Sequence, residues 1–212
     1  MKNSGARSMF ITFEGGEGSG KSLQARSLYR KLCRLSIPVI LVHEPGSTPL
    51  GERLSRLLKW GRATAISPMS ELLLFNASRA QLVSEVILPS LKNGKIVVCD
   101  RYTDSTLAYQ GYGRGLKLKT VRTANDIATG GLMPDLTMLL DIPVGEGLAR
   151  KRVNATDRFE NEELAFHKRV RQGYLTLARK EPRRFFVVDG RQDKRTISQI
   201  IWKRVSAMLG ER

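Results

Sequence analysis

The stretch MFITFEGGEGSGKSL (Met9–Leu23) joins a short apolar run to a glycine-rich loop and the opening of a helix. Phe10, Ile11, Thr12 and Phe13 are β-branched or aromatic and read as a buried strand. Gly15, Gly16, Glu17, Gly18, Ser19, Gly20, Lys21 and Ser22 then fit G-x-x-x-x-G-K-[ST]. Glycines let the backbone curl until successive N–H groups point at one anion. The helix that starts there adds the positive end of its dipole. Lys21 supplies a point charge for the outer phosphates of a nucleotide, and the Ser22 hydroxyl is placed to ligate magnesium. A glycine-rich turn can match by chance, but here a strand precedes it and a helix follows, as a phosphate-binding loop requires.

Outward from that loop the apolar residues keep switching between two periods. Ala25, Leu28, Leu32 and Leu35 recur at helical spacing, and the helix is expected to end before Pro38. Val39–Val42 is a second continuous apolar strand, which implies helices over both of its faces. Leu50, Leu54, Leu57 and Leu58 mark a short amphipathic helix. Ser67-Pro68 reads as an N-cap with proline at the first helical position, opening a helix from about Met69 toward Leu91. Ile96–Cys99, Leu136–Leu140 and Phe185–Val188 are three further strands. Thr103–Gln110 is expected to be a helix closed by glycines 111, 113 and 115. More helices are expected over Lys119–Ala128, through Leu148 and Ala149, on Phe166, Val170, Tyr174 and Leu177, and finally on Ile197, Ile201 and Val205. This alternation describes a doubly wound α/β fold on a five-stranded parallel sheet, with ligands at the carboxyl ends of the strands. Glu14, Glu44, Asp100 and Asp141 fall there. Residues 9–212 are read as one domain with a short lid at about 150–163, after a flexible extension over residues 1–8.

Of the 212 residues, 41% are hydrophobic, an ordinary globular fraction. Basic residues number 36 and acidic ones 20, a net charge of +16 that raises the question of a nucleic-acid partner. The basic residues are spread along helices without an aromatic-interleaved patch, so the charge is read instead as a solvated surface that also attracts polyphosphates. No apolar run reaches the length of a membrane span, and the first eight residues lack the apolar stretch of a signal peptide. Cys33 and Cys99 stand in no metal-ligand spacing. Cys99 ends an apolar strand, so a reduced thiol and a cytoplasmic location are expected.

Three constellations carry chemistry. Asp100 directly follows an apolar strand, where a carboxylate can hold magnesium or its water shell, and Arg101 beside it can grip a phosphate. A lone strand-end aspartate is more often a cap, and the phosphate loop upstream shifts that balance. Phe75 and Arg79 lie four apart on one helix face, a ring to stack on a base and a fork to read its carbonyl. Phe75 alone would be core. Ser105, Tyr109 and Gln110 share the next helix, where caps and an exposed surface are the plain alternative.

Taken together, FEGGEGSGKS, HEPGSTPLGERL, LLLFNASRAQ, DRYTDSTLAYQGYGRG, PDLTMLLDIP and DRFE resemble the thymidylate kinase family, which phosphorylates dTMP with ATP. The resemblance spans almost the whole chain after Ser8. It implies magnesium dependence and, commonly, a homodimer, while run lengths and charge distribution point away from a membrane or nucleic-acid partner. It also implies roles: Lys21 and Ser22 for ATP phosphates and magnesium, and Glu17 for the deoxyribose hydroxyl. Phe75 would stack on thymine, with Arg79, Ser105 and Gln110 on its polar edge, and Tyr109 would crowd the sugar. Arg101 would bind the dTMP phosphate, and Arg158 would close from the lid onto ATP phosphates. Departures are His43 and Ser47 where the family usually has arginine and glycine, Ser55 where it often has arginine, and no glycine after Arg152. A kinase for another nucleotide on the same scaffold, or a nucleic-acid-associated ATPase, are the alternative readings.

Overall fold

The computed structural model describes residues 8–60, 65–151 and 158–210. Five parallel strands form one sheet in the order β2-β3-β1-β4-β5. They are β1 (Met9–Glu14), β2 (Val39–His43), β3 (Ile96–Asp100), β4 (Leu136–Asp141) and β5 (Phe185–Asp189). β1 is central and buried at all of its positions. Its side chains alternate between two cores, as the two-residue period of a strand dictates. Ile11 and Phe13 pack with Ala25, Leu28 and Leu32 of α1 (Lys21–Arg34) and with Ile197, Ile201 and Val205 of α9 (Lys194–Gly210). Phe10 faces the other way, against Leu82, Val83 and Ile87. A third cluster gathers Leu72, Val121 of α6 (Leu118–Thr129), and Val170, Tyr174 and Leu177 of α8 (Leu164–Lys180).

The register pairs Phe13 with Asp100 and His43 with Asp100, and on the other side Glu14 with Leu139 and Asp141 with Asp189. β4 and β5 therefore run two residues beyond β1, and the polar terminal residues of all five strands gather at the carboxyl end of the sheet. The chain turns to β3 on one side of β1 and to β4 on the other, which opens a crevice above β1.

Three local expectations are modified. β2 lies at a sheet edge and is mostly half-buried, so its continuous apolar run reflects a partly covered strand rather than a sandwiched one. The helix over residues 68–92 is capped by the Ser67 hydroxyl, which accepts from Ser70 N at 3.2 Å. It runs as α3 (Pro68–Leu82), a π-helical segment (Val83–Ile87) and α4 (Leu88–Lys92). Pro89 has no N–H and its ring crowds the carbonyl four residues back, so the turn before it widens. Likewise α5 (Thr103–Thr106) continues as a π-helical segment over Leu107–Gly113. Gly111 and Gly113 lie within that segment rather than beyond it. An added Cβ at Gly111 would lie 2.6 Å from Leu118 Cδ2, and one at Gly113 2.7 Å from Phe166 Cε2, so both are there for close packing. Gly115, at φ 79°, makes the stop.

Candidate active site

The loop between β1 and α1 takes backbone angles that only glycine holds cheaply: φ is 144° at Gly15, 67° at Gly18 and 88° at Gly20. A Cβ on Gly18 would stand 1.9 Å from the Gly147 carbonyl oxygen, so a side chain there would collide with α7 (Val144–Lys151). Gly20 caps α1 with no side-chain hydrogen bond, which leaves the first-turn N–H groups facing the loop. Lys21 folds back, its Nζ donating to Gly16 O at 3.2 Å. Burial first, then the nearby Arg101 charge, lower the Lys21 pKa to about 8, against the opposing pull of Glu17 and Asp100.

Beside the loop is a cavity of about 520 Å³. Glu17, Lys21, Ser22 and Asp100 border it at the loop end, and Phe75, Tyr109, Gln110 and Phe159 at the other. Arg101 stands between them, with φ 74°. Its Nη2 donates to Glu17 Oε1 at 2.6 Å and to the Tyr109 hydroxyl at 3.1 Å, and its Nη1 to Ser105 Oγ at 3.2 Å. The Tyr109 hydroxyl in turn donates to Glu17 Oε1 at 2.6 Å. Burial alone would push the Glu17 carboxyl up, but Lys21, Arg101 and Tyr109 outweigh it and hold it well below the usual carboxylate range.

Beneath Arg101, Glu14 ends β1 fully buried. It accepts from Tyr102 N at 2.7 Å, Ser105 Oγ at 2.6 Å and the Tyr174 hydroxyl at 2.9 Å. Burial, with Asp104 adding, raises its pKa to about 7 against the pull of Ser105, Arg101 and the Tyr102 amide. Ser105 borders the cavity, its proton donated to Glu14 Oε2 and its oxygen receiving Arg101, so in this conformation it supports that guanidinium. Tyr174, which sequence periodicity assigns to a helix core face, belongs to the same network. Only its hydroxyl could have signalled that, since a phenol buried at the carboxyl edge of a sheet needs a partner.

Arg79 borders the cavity as a base reader should, yet its donors are already taken. Nε and Nη2 hold Glu44 Oε2 at 2.9 and 2.7 Å, Nη1 reaches Asn76, Thr106 and Asn125, and Nη2 also reaches Tyr102 O. A base carbonyl can only share one of these hydrogens. Phe75 meets Phe159 at 5.7 Å between ring centroids. The Gln110 amide nitrogen donates to Glu71 Oε1 at 2.8 Å. Glu71, in the first turn of α3, is completely buried and escaped sequence reasoning, because a first-turn acid reads as a dipole partner.

Arg158, expected over the ATP phosphates, is engaged elsewhere in this conformation. Its Nε donates to Leu58 O at 3.1 Å and its Nη2 to Glu71 Oε2 at 2.5 Å. Among the described residues, the lid-side cation bordering the cavity is Lys151, whose Nζ lies 3.9 Å from Glu17 Oε2 and donates to Glu160 at 2.6 Å. Arg152 and the extension before Ser8 lie outside the described residues.

For magnesium, Asp100 Oδ1 is buried with no hydrogen-bond partner among the described residues, and the Ser22 hydroxyl borders the same cavity. Among the described residues no group of three or more His, Cys, Asp or Glu side chains could hold a metal.

A family model described as thymidylate kinase matches residues 13–201. A thymidylate kinase of Dehalococcoides mccartyi (strain CBDB1) is 53% identical over 203 residues, covering 96% of this chain and 98% of that one. The chain belongs to the thymidylate kinase family. A thymidylate kinase of Herpetosiphon aurantiacus is 46% identical over 218 residues, covering 91% and 92% of the two chains. The crystal structure of thymidylate kinase from Ehrlichia chaffeensis superposes with a TM-score of 0.77 at 35% identity, over 93% of this chain and 98% of that one. Within the thymidylate kinase family, the departures at His43 and Ser47 compensate one another here. Ser47 takes φ 62°, a glycine-like angle, and its hydroxyl accepts from His43 N at 2.8 Å, while Ser47 N donates to Glu52 Oε1 at 2.8 Å. His43 Nε2 completes the group 3.1 Å from Glu52. Ser55 is buried in α2 (Pro49–Trp60).

Proposed function

We propose that the cavity binds dTMP beside the loop that binds ATP, with Arg101 as the group that receives the dTMP phosphate. The thymidylate kinase family carries the reaction: the γ-phosphoryl group of ATP passes to dTMP, giving dTDP and ADP. The observation that most supports the residue roles is the single guanidinium of Arg101, held between the loop carboxylate Glu17 and the acceptor-wall hydroxyl of Tyr109. A dianionic acceptor phosphate outcompetes one carboxylate for that fork, and frees Glu17 for the deoxyribose hydroxyl.

In-line transfer leaves little covalent work for the protein, so catalysis is positioning and charge neutralisation. The acceptor oxygen is already anionic, and no side chain has to remove a proton. Lys21 exchanges Gly16 O for phosphate oxygens, the N–H groups of residues 15–22 cradle the ATP phosphates, and Phe75 stacks on the base. Ser22 and Asp100 would hold magnesium. When bound, magnesium neutralises charge on the phosphate oxygens. A lid at about 150–163 on a single domain spanning 9–212 is part of this reading, with residues 152–157 outside the described ones. Met69, Leu73 and Ala77 recur every four residues on the exposed face of α3, an apolar stripe that supports a homodimer. Among the described residues no helix is long and apolar enough to cross a membrane, and the free cysteines Cys33 and Cys99 accord with a cytoplasmic location.

The test is ADP production across a panel of nucleoside monophosphates, with and without magnesium and DNA. ADP formation should depend on dTMP and magnesium and ignore DNA. Equal rates with AMP, or a rate that needs DNA, would overturn the assignment of the cavity.

A further inference from the structure

We propose that Glu71 sets the base specificity of the acceptor site by holding the Gln110 side-chain amide in one orientation. This rests on the reading of the cavity as the dTMP site. Glu71 is completely buried, and four hydrogen bonds fill its two oxygens. Oε1 accepts from Gln110 Nε2 at 2.8 Å and Arg114 Nε at 3.2 Å, and Oε2 from Arg114 Nη2 at 3.2 Å and Arg158 Nη2 at 2.5 Å. A carboxylate between two guanidiniums has only acceptors to offer, so the Gln110 nitrogen must face it. A flipped amide would set oxygen against oxygen in a buried site, which costs both the bond and the desolvation of each group. The Gln110 oxygen is then the polar atom left for the cavity that Gln110 borders.

An oxygen there asks for a donor on the base. Thymine and uracil present N3–H. Cytosine presents a lone pair at N3 and meets the amide oxygen with repulsion. The pyrimidine ring is the same size in each case and stacks on Phe75 alike, so shape cannot separate them. A buried hydrogen-bonding group can, because the wrong partner leaves it unpaired. Glu71 touches no substrate in this scheme. It is a positioning residue that acts through Gln110, while Arg114 and Arg158 keep it an acceptor.

The experiment uses the full chain as wild type, Glu71→Gln, Gln110→Met and the double variant. For each, kcat/KM is measured with dTMP and with dCMP, together with equilibrium binding of each monophosphate in the absence of ATP. Glutamine at 71 can donate or accept, so Gln110 is freed to turn over. The dTMP-to-dCMP ratio should fall at least about tenfold in Glu71→Gln. Any loss from loosening Arg114 and Arg158 is common to both substrates and cancels in that ratio. Gln110→Met should lower the ratio as well, and adding Glu71→Gln to it should lower it no further. An unchanged ratio in Glu71→Gln, or an equal fall in the Gln110→Met background, overturns the proposal. If Glu71→Gln does not fold, Glu71→Asp carries the same test, since it keeps the charge for both arginines and withdraws from Gln110. A Gln110→Met protein altered only toward ATP would instead overturn the placement of the acceptor site, a separable result.

Discussion

Replacing Arg79 by alanine separates its two possible duties, holding the fold and reading the base. Arg79 is 1% exposed and its partner Glu44 5% exposed, so the pair is desolvated on both sides. Removing one member of such a pair leaves a buried charge without its counterion, at a cost of about 3–5 kcal/mol. For a chain of this size each kcal/mol lowers Tm by about 2–4 °C, so the expected fall is roughly 6–20 °C. The penalty should also depend on pH. Burial already raises the Glu44 pKa, with the Arg79 charge and hydrogen bonds opposing it. Without Arg79 the folded protein holds the Glu44 proton to higher pH than the unfolded chain does. The variant then loses stability as pH rises through and above the ordinary carboxylate range, and its deficit against wild type widens from about pH 5 to pH 8. Thermal and urea unfolding at three pH values, alongside the dTMP KM, measure both effects. A variant melting within about 2 °C of wild type at every pH, with only dTMP binding weakened, would refute the buried-pair argument and make Arg79 a base reader alone.

Phe75→Ala should weaken dTMP binding by about 1–3 kcal/mol, the worth of stacking one base, and leave the ATP KM unchanged; titration with each nucleotide checks it. Lys151→Met and Arg158→Ala should differ in kind. The first should lower kcat with little change in dTMP affinity, because Lys151 borders the phosphate loop. The second should raise the dTMP KM through Glu71 and Gln110, and a pure kcat loss in Arg158→Ala would return that arginine to the ATP phosphates. ATP binding near pH 8 should take up protons, because polyphosphate raises the lowered Lys21 pKa again. Calorimetry in buffers of different ionisation enthalpy reads the uptake, and Lys21→Ala should abolish it. In the apoprotein the same group favours stability increasingly as pH rises from about 8 to 10.5, since the unfolded chain binds more protons over that window.

Local periodicity and spacing were sufficient for the strands, the helix faces and the phosphate loop, because each depends on residues close along the chain. Alternation of Phe10 with Ile11, and the glycines around Glu17, dictate backbone angles and burial wherever the segment lies. The strand-end positions of Glu14, Glu44, Asp100 and Asp141 follow from that alternation and the rule for parallel sheets. The motif set around Phe75, Arg101 and Gln110 was enough to identify the family.

Which donors are committed was decided only in three dimensions. Arg79 reads as a fork free to meet a base until Glu44, 35 residues away, and Asn125, 46 residues away, are brought onto it. Arg158 reads as a lid finger, with nothing along the chain to signal that Glu71, 87 residues back, holds its Nη2 in this conformation. Gly111 and Gly113 read as a helix end until Leu118 and Phe166 are packed against them. In each case the residue type allows several partners of similar energy, and the tertiary arrangement selects one by placing a desolvated acceptor or a packed ring where no other can reach.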